Sequence, residues 1–375
     1  MKKIFPSLSI CLCSIAAHAQ TPIEVPIYLE SSTNYSANRY TIYAAMSGGN
    51  SPSTNLVPYT FDTGAPNMFS TLGGLGNTAT ASFTFAQAPT YNYYNDAVSV
   101  SLGDSNGTVI ASTASNVNVA SIVSIIGSDG STNFTSNNIL GDGTYGDFGA
   151  GLYGTNSLAT ILTQLPLAAG LQPGYLVNLT GASSGNGTLT IGLSASAIAA
   201  ASNTPGAIIM QLSPSGNQIP TTNGITINGY NKAQVSNATV SLRQDFTSIT
   251  NTMPLVLDTG GGPNVVIYST NFGSLTSGGV KLSYGAQTIL SYTNTTPYTG
   301  TVDVIPNTAD GTRINPGGAA IYDNYQVMFV LSTNSGVDGE VILVPTAVPE
   351  PSANALIVLG MIGSLWFFLR RRLAR

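Results

Sequence analysis

Two short segments of this sequence carry aspartate, threonine and glycine in the same order, 196 positions apart. Residues 58–64 read Pro-Tyr-Thr-Phe-Asp-Thr-Gly, and residues 254–260 read Pro-Leu-Val-Leu-Asp-Thr-Gly. Two carboxyl groups held at one site cannot both ionise at low cost, so they hold one proton between them. The ionised carboxylate can take a proton from water while the protonated one polarises a carbonyl group. Asp62 and Asp258 are therefore the predicted catalytic pair for a hydrolysis.

The remaining composition excludes most other chemistry from the body of the chain. Residues 21–348 contain no cysteine, histidine or tryptophan. Without thiols there are no disulfides, cysteine-based zinc sites or cysteine nucleophiles in this region, and without imidazole there is no Ser-His-Asp triad. We predict no metal site and no cofactor. The acidic residues Asp142 and Asp147 are spaced too irregularly to favour a calcium loop.

Each aspartate is expected at the end of an apolar strand, in a turn where glycine lets another part of the chain approach closely. The threonine hydroxyls can join the two turns by hydrogen bonds. The residues predicted to support the pair in this way are Thr63, Gly64, Thr259 and Gly260. In the alternative interpretation each aspartate only caps its own turn, but the repetition of the whole segment favours a joint role.

The elements that position these groups are predicted to be mostly β-strands. Short runs rich in Thr, Val, Ile and Tyr, bounded by Gly, Asn, Ser or Pro, are typical of strands. Such runs occupy residues 97–102, 115–126, 225–227, 235–242, 254–257 and 325–331. Asn-Gly or Asp-Gly pairs, which favour hairpin turns, begin at residues 106, 129, 186, 228 and 310. Helical spacing of apolar residues is found at 156–167 and, more weakly, at 195–201.

The motifs, in their order along the chain, resemble those of pepsin-like aspartic peptidases. Residues 62–69 are similar to the family's Asp-Thr-Gly-Ser-x-Asn-Leu-Trp, and residues 318–329 are similar to a segment near its end. The resemblance implies a mostly β, two-lobed pepsin-like acid protease fold with the active-site cleft between the lobes. Residues 21–200 would form the N-terminal β lobe and residues 201–346 the C-terminal β lobe. The implied activity is an aspartic endopeptidase acting on an extended polypeptide substrate.

The same resemblance assigns roles to three further segments. Residues 138–143 are similar to the family segment that threads beneath the first aspartate turn, and residues 317–319 take the corresponding place in the second half. The family's flap hairpin, which closes over the substrate, aligns with the predicted substrate-binding residues Leu102, Gly103 and Asp104. Leu102 would replace the flap tyrosine. A buried strand position is the alternative interpretation of Leu102.

The sequence departs from the family at positions that bear on activity. Ala65 and Gly261 replace the serine or threonine whose hydroxyl bonds the carboxylate, and Phe69 replaces a tryptophan. Two alternatives therefore stay open beside the peptidase. One is a catalytically weak or inactive relative that binds peptides or glycans. The other is a structural protein of the extracellular polysaccharide matrix, in which both Asp-Thr-Gly segments are accidental.

Both ends of the chain are predicted to be targeting segments. Residues 1–19 have two lysines, an apolar run and an Ala-His-Ala end, as in a secretory signal peptide; an N-terminal membrane helix is the alternative. At the other end, Pro349, Glu350 and Pro351 precede an uncharged run at 353–369 and four arginines. Residues 347–375 resemble the PEP-CTERM sorting tail of Gram-negative bacteria.

The predicted signal peptide and sorting tail imply partners and a cellular location. The expected partners are a signal peptidase, exosortase-type sorting machinery and a membrane crossed by the C-terminal helix. The protein is expected to be exported, anchored in the membrane before processing, and then on the cell surface or extracellular. Residues 21–348 carry five basic and fifteen acidic side chains, a formal net charge near −10. This charge disfavours nucleic acid as a partner, and a monomer is expected.

Overall fold

The computed structural model describes most of the chain between residues 21 and 346. The described residues are 21–31, 38–49, 53–73, 78–84, 89–127, 140, 143–153, 160–180, 187–244, 247–260, 265–272, 275, 279–291, 302–305, 312–316, 321–334 and 337–346. The predicted signal peptide at 1–19 and the predicted tail at 347–375 lie outside them. Within the described residues no helix is long and apolar enough to cross a membrane.

The described residues form twenty-one β-strands, one α-helix and one 3-10 helix, which confirms the prediction of a mostly β chain. The strands of the first half are β1 Ile23–Ser31, β2 Asn38–Ser47, β3 Ser53–Asp62, β4 Met68–Ser70, β5 Ala81–Thr84, β6 Thr90–Gly103, β7 Val109–Ser112, β8 Val117–Ile126, β9 Gly146–Gly149, β10 Gln172–Asn178 and β11 Gly187–Leu193. The strands of the second half are β12 Ile208–Pro220, β13 Thr226–Gln244, β14 Thr247–Leu255, β15 Val265–Tyr268, β16 Gly279–Tyr284, β17 Gln287–Ser291, β18 Val302–Ile305, β19 Arg313–Asn315, β20 Tyr325–Val330 and β21 Glu340–Pro345. The 3-10 helix is Ile161–Gln164, and α1 is Ala195–Ser202.

An antiparallel sheet joins the two halves. Its strand order is β1, β11, β10, β20, β21 and β12, so three strands of each half lie side by side. The central pairing is between β10 and β20, where Tyr175 lies opposite Phe329 and the two rings stack with centroids 4.6 Å apart. The outermost strands, β1 and β12, each continue into a second sheet that belongs to one half alone.

The strand pairings around the two Asp-Thr-Gly segments repeat from one half to the other. In the first half β9 lies between β3 and β4, parallel to β3 and antiparallel to β4. In the second half β19 lies between β14 and β15 with the same directions. The repeat that was visible in seven residues of sequence therefore extends to the topology of each half.

The strand beside the first aspartate is not the one that the sequence predicted. Residues 138–143 were expected to thread beneath this turn, but β9 pairs with β3, with Phe61 opposite Phe148 and Asp62 opposite Gly149. The backbone N–H of Ala150 then donates to the carbonyl of Asp62 at 2.8 Å. Residues 138–139 and 141–142 lie outside the described residues, as do residues 317–319.

Other predicted elements agree with the structure to different degrees. α1 confirms the weaker helix prediction, and the predicted domain boundary at residue 200 falls inside it. Of the helix predicted at 156–167, the described part holds only the 3-10 helix Ile161–Gln164. A turn at 104–107 joins β6 to β7, as its Asn-Gly pair predicted. The prediction of a turn at Asn228 is wrong, because this residue pairs with Gln218 inside the β12–β13 hairpin.

Most of the buried apolar residues of both halves meet in one continuous core. Its largest fully buried side chains are aromatic, among them Tyr59, Phe61, Phe148 and Phe329. Phe61 and Phe148 immediately flank the first aspartate turn and stack with centroids 6.4 Å apart. Burial of side chains of this size supplies most of the free energy that holds such a sheet assembly together. The two turns therefore stand on rigid, fully packed strands.

Candidate functional site

The two aspartates stand at the ends of equivalent strands. Asp62 is the last residue of β3, and Asp258 follows the last residue of β14 by three positions. In each half a neighbouring strand pairs with the segment that leads to the aspartate. β9 pairs with β3 beside Asp62, and the carbonyl of Ile314 on β19 accepts from the N–H of Val256. The backbone turns away after each aspartate, so each carboxyl group projects from a segment that these pairings hold in place.

Reciprocal hydrogen bonds join the two turns. The N–H of Thr63 donates to the hydroxyl of Thr259 at 3.0 Å, and the N–H of Thr259 donates to the hydroxyl of Thr63 at 3.0 Å. The Thr63 hydroxyl donates in turn to the carbonyl of Leu257, and that of Thr259 to the carbonyl of Phe61, each at 2.6 Å. Both threonines are buried. The structure thus brings Thr63 and Thr259 together as the sequence predicted.

The two predicted glycines let each carboxyl group lie against the opposite turn. A Cβ atom added to Gly64 would lie 2.5 Å from the Cγ atom of Asp258, and one added to Gly260 would overlap the carboxyl group of Asp62. Only glycine leaves room for this approach. The carboxyl groups of Asp62 and Asp258 are consequently neighbours, close enough to share a hydrogen bond.

The two carboxyl groups have different surroundings. Asp62 is 7% exposed, and its Oδ1 atom accepts from the N–H of Gly64 at 2.6 Å. Burial, followed by the negative charge of Asp258 and then that of Asp147, raises the pKa of Asp62 well above its usual range. Asp62 therefore keeps its proton to a higher pH than an ordinary aspartic acid does.

Asp258 is less buried and receives a hydrogen bond from a neighbouring strand. The side-chain amide of Asn315, the last residue of β19, donates to Oδ2 of Asp258 at 2.7 Å. The other oxygen, Oδ1, is buried and accepts no hydrogen bond from the described residues. One side of this carboxyl group is thus held in place, and the other is left for the proton shared with Asp62.

A buried glutamine on β13 braces both turns at once. Gln234 is 0% exposed, and its side-chain oxygen accepts from the N–H of Leu257 at 2.6 Å. Its side-chain N–H donates to the carbonyl of Thr63 at 2.9 Å and more weakly to that of Leu257 at 3.3 Å. A fully buried amide with both ends paired is a strong constraint on the backbone it bonds.

Two further side chains reach the glycine carbonyls of the turns. The phenol of Tyr153 donates to the carbonyl of Gly64, and the guanidinium of Arg39 donates to the carbonyl of Gly260 at 2.5 Å. Burial and then the charges of Asp62 and Asp258 raise the pKa of Tyr153 well above its usual range, so its hydroxyl stays protonated as a donor. Each turn is therefore contacted by a polar side chain from outside its own segment.

The structure does not bring the predicted flap residues to this site. Leu102 is 0% exposed in the main core and lies opposite Ala44 of β2, which in turn lies opposite Val57 of β3. Val57 precedes Asp62 by five residues, roughly 16 Å along a strand. Gly103 and Asp104 follow Leu102 at the β6–β7 turn, where Asp104 accepts from the N–H groups of Asn106 and Thr108. The prediction that Leu102 closes over a substrate disagrees with this burial.

Phe69 lies in a second apolar cluster next to the first turn. Its ring contacts those of Tyr91 and Tyr93 edge-on, each with a centroid separation of 5.6 Å, and it also meets Phe83 of β5. The hairpin that approaches Phe69 is therefore β5–β6, not β6–β7. The loop between β5 and β6, residues 85–88, lies outside the described residues.

Four residues of the site were not predicted from the sequence: Asn315, Gln234, Tyr153 and Arg39. Each is far along the chain from the turn it contacts, and none belongs to a recurring motif. Asn is common in this chain and Gln234 belongs to no motif, so residue type alone carried no signal. Arg39 was a weak exception, because residues 21–348 hold only five basic side chains.

A metal site of several ligands is not found in the part of the chain that the structure describes. No three His, Cys, Asp or Glu side chains in that part lie close enough together to hold an ion. Asp62 and Asp258, with Asp147 at a greater distance, are the acidic groups of this site. Their arrangement permits proton transfer between carboxyl groups, water and a bound carbonyl group.

Comparison with known proteins gives little further information. No family model matches the chain, and no curated protein matches it. A solved structure described as "Crystal structure of edgp" is 12% identical, with a TM-score of 0.44, over 88% of this chain and 96% of that chain. A likeness at this level carries no argument about fold or function.

Proposed function

We propose that this chain is an aspartic endopeptidase with a two-lobed pepsin-like fold, which hydrolyses peptide bonds by an Asp62–Asp258 dyad and an activated water. One observation carries the proposal: Thr63 and Thr259 exchange hydrogen bonds across the two turns and so hold the carboxyl groups side by side. The repeated strand pairing and the raised pKa of Asp62 support it. The strand pairing places the two aspartates in equivalent positions, and a raised pKa is expected of one member of a pair that shares a proton.

The reaction proceeds by general acid–base catalysis. The ionised carboxylate removes a proton from water as the water oxygen bonds to the peptide carbonyl carbon, and the protonated carboxyl group gives its proton to the carbonyl oxygen. The neutral diol then loses the amine: the C–N bond breaks, the nitrogen takes the first proton, and a diol hydroxyl returns the second. Both carboxyl groups end in their starting states, so neither metal nor imidazole is required.

The substrate class follows from the surroundings of the dyad. The carboxyl groups stand where strands from the two halves meet, so a substrate has to lie across strand ends. An extended polypeptide suits such a site because its backbone groups can pair with exposed strand and turn atoms. We propose that the protein acts as a monomer, since both aspartates come from one chain.

A second candidate, a pepsin-like protein that binds peptides without cutting them efficiently, is favoured by one observation. The carbonyl groups of Gly64 and Gly260 flank the dyad and would be natural acceptors for a substrate's N–H groups, yet Tyr153 and Arg39 already donate to them. A peptide would have to share these acceptors or displace the two side chains. Slow turnover with measurable binding is the expected behaviour of such a site.

The targeting segments complete the proposal. We propose export through the signal peptide at 1–19 and sorting through the tail that begins near Pro349, with a membrane anchor at 353–369 before processing. The acidic body, whose formal net charge is near −10, suits an exported protein that does not bind nucleic acid. The mature termini, found by mass spectrometry of the exported protein, test this part of the proposal.

Cleavage of an unstructured polypeptide between pH 2 and pH 7 tests the activity. We expect cleavage in the acidic part of this range, blocked by a statine-type transition-state analogue and lost in Asp62→Asn and Asp258→Asn. Analogue binding without cleavage would favour the non-catalytic candidate. Neither binding nor cleavage, with Asp62→Asn behaving as the natural chain does, would leave the structural matrix protein as the better interpretation.

A further inference from the structure

The dyad is not symmetrical, although the turns that carry it are. Apart from its contact with Asp258, Asp62 accepts from the N–H of Gly64 in its own turn. Asp258 instead bonds to an amide from β19, with Asn315 Nδ2 2.7 Å from its Oδ2 atom. The corresponding strand of the first half, β9, ends in Gly149 opposite Asp62 and has no side chain to offer. Only one carboxyl group of the pair therefore has a donor from the strand beside it.

The chemistry of this contact depends on the charge of Asp258. An ionised carboxylate only accepts hydrogen bonds, so it pairs with the N–H end of an amide and repels the carbonyl end. A hydrogen bond from a neutral donor to a charged acceptor is stronger than one between neutral groups. Asn315 is 9% exposed, so water competes little for its amide. The contact accordingly stabilises the ionised form of Asp258 over the protonated form.

We propose that Asn315 is a positioning residue that keeps the negative charge on Asp258 and so leaves the shared proton on Asp62. Its amide gives the carboxyl group a hydrogen bond that Gly261 cannot give, because glycine has no hydroxyl. The role in catalysis rests on the proposed function, whereas the order in which the two carboxyl groups titrate does not. The burial of Asp62 and the proximity of Asp258, which together raise the pKa of Asp62, act in the same direction.

Other ionisable groups face the pair from the surrounding elements. The negative charge of Asp147 on β9 opposes ionisation of Asp62, and burial keeps the phenols of Tyr153 and Tyr322 neutral. The basic groups are Arg39, bonded to the turn of Asp258, and Arg313 of β19, whose charge acts on Tyr153. Arg313 lies 4.3 Å from the ring of Tyr268. These charges act around both carboxyl groups, whereas the amide of Asn315 donates directly to Asp258.

This assignment fixes the orientation of the substrate. Asp258 takes the proton from water, and Asp62 donates its proton to the carbonyl oxygen, so the oxygen of the scissile carbonyl lies toward Asp62. When the C–N bond breaks, the proton held by Asp258 goes to the nitrogen and a diol hydroxyl returns a proton to Asp62. The starting state, with Asp62 protonated and Asp258 ionised, is restored without any further reactant.

The order of titration is measured directly by ¹³C NMR of the aspartate Cγ atoms in the full chain, with Asp62→Asn and Asp258→Asn to assign the signals. We expect the lower step of the pair to belong to Asp258. In Asn315→Leu this step should rise by about one pH unit or more, a tenfold or greater gain in proton affinity. Asn251→Leu, which removes an exposed amide from β14, is the matched control and should leave both steps unchanged.

Two results would overturn the proposal: a lower step that belongs to Asp62, or an unchanged lower step in folded Asn315→Leu. If that variant does not fold, Asn315→Ser gives the same readout with a smaller side chain, and its lower step must also rise. In an active enzyme the acid limb of the kcat/KM profile should move upward by the same interval. A natural chain that cleaves nothing contradicts the proposed function alone, because the titration still decides the role of Asn315.

Discussion

At the scale of single residues, the site depends on two threonine hydroxyls that each serve as donor and acceptor. Each is buried, accepts from the opposite N–H and donates to a carbonyl of the opposite strand end. A hydroxyl suits this position because it combines one donor with acceptor capacity in a small volume. The pairing holds the backbone of both turns, and through it the separation of Asp62 and Asp258.

Replacing either hydroxyl by a methyl group should therefore destabilise the fold. Thr63→Val leaves the N–H of Thr259 without its acceptor, and Thr259→Val leaves that of Thr63 without one, in a region closed to water. We expect each variant to lower the free energy of unfolding by about 2 kcal/mol, measured by urea denaturation. Thr84→Val, which removes an exposed hydroxyl pair with Thr90, should change it by less than about 0.5 kcal/mol. Equal effects at the buried and exposed positions would contradict this account.

The residues of the two turns could be predicted because they recur in the sequence as a contiguous motif. Asp62, Thr63, Gly64 and their counterparts needed no knowledge of the fold. Asn315 and Gln234 could not be predicted, because their contacts depend on which strand lies beside which and in what register. Gln234 meets Thr63 across 171 positions of sequence, a separation at which spacing carries no signal.

At the scale of elements, alternation and β-branched composition predicted the strand runs but not their neighbours. The flap was assigned to the β6–β7 hairpin by counting residues from Asp62. In the structure the long strand β6 instead pairs with four strands, β2, β5, β7 and β8, and carries Leu102 into the core. The threading segment was assigned to residues 138–143 because of their similarity to a family segment, whereas β9 is the strand that pairs beside Asp62. Insertions move a segment along the sequence without moving its place in a sheet, so counting fails where loops are long.

The hydrogen bonds from Gln234 on β13 to both turns give a test at this scale. Gln234→Met keeps the side-chain length but removes the acceptor of the Leu257 N–H and the donor to the Thr63 carbonyl. We expect the free energy of unfolding to fall by about 3 kcal/mol, since two buried backbone groups lose partners. Gln211→Met is the matched control: this exposed side chain donates to the carbonyl of Gly339 at 2.8 Å, and its loss should cost less than about 1 kcal/mol. Similar losses at both positions would show that Gln234 does not brace the turns.

At the scale of the whole molecule, burying an acid pair makes stability depend on pH. The pKa of Asp62 is higher in the folded chain than its ordinary value of 3.8, so the folded protein binds this proton more tightly than the unfolded chain does. The resulting stabilisation is fully present below about pH 4 and is lost as the pH rises through the raised pKa. Desolvation also raises the pKa of Asp323, which therefore acts in the same direction.

The difference between the natural chain and Asp62→Asn isolates this contribution. We expect the free energy of unfolding of the natural chain to decrease from about pH 4 upward relative to that of Asp62→Asn, measured by urea denaturation at several pH values. Asp104→Asn should show the opposite sign, because hydrogen bonds from Thr108 and Asn106 lower the pKa of Asp104 and its contribution is lost as the pH falls. A constant difference between the natural chain and Asp62→Asn would mean that Asp62 is not held in its protonated form.

The central claim is that Asp62 and Asp258 together activate one water molecule, and cleavage of an unstructured polypeptide in H₂¹⁸O at acidic pH tests it most directly. The account predicts a single ¹⁸O atom in each new C-terminal carboxyl group, none in the enzyme, and loss of the product in both Asp62→Asn and Asp258→Asn while Asp104→Asn keeps full activity. Cleavage that persists in either dyad variant, or ¹⁸O retained in an enzyme carboxyl group, would contradict it.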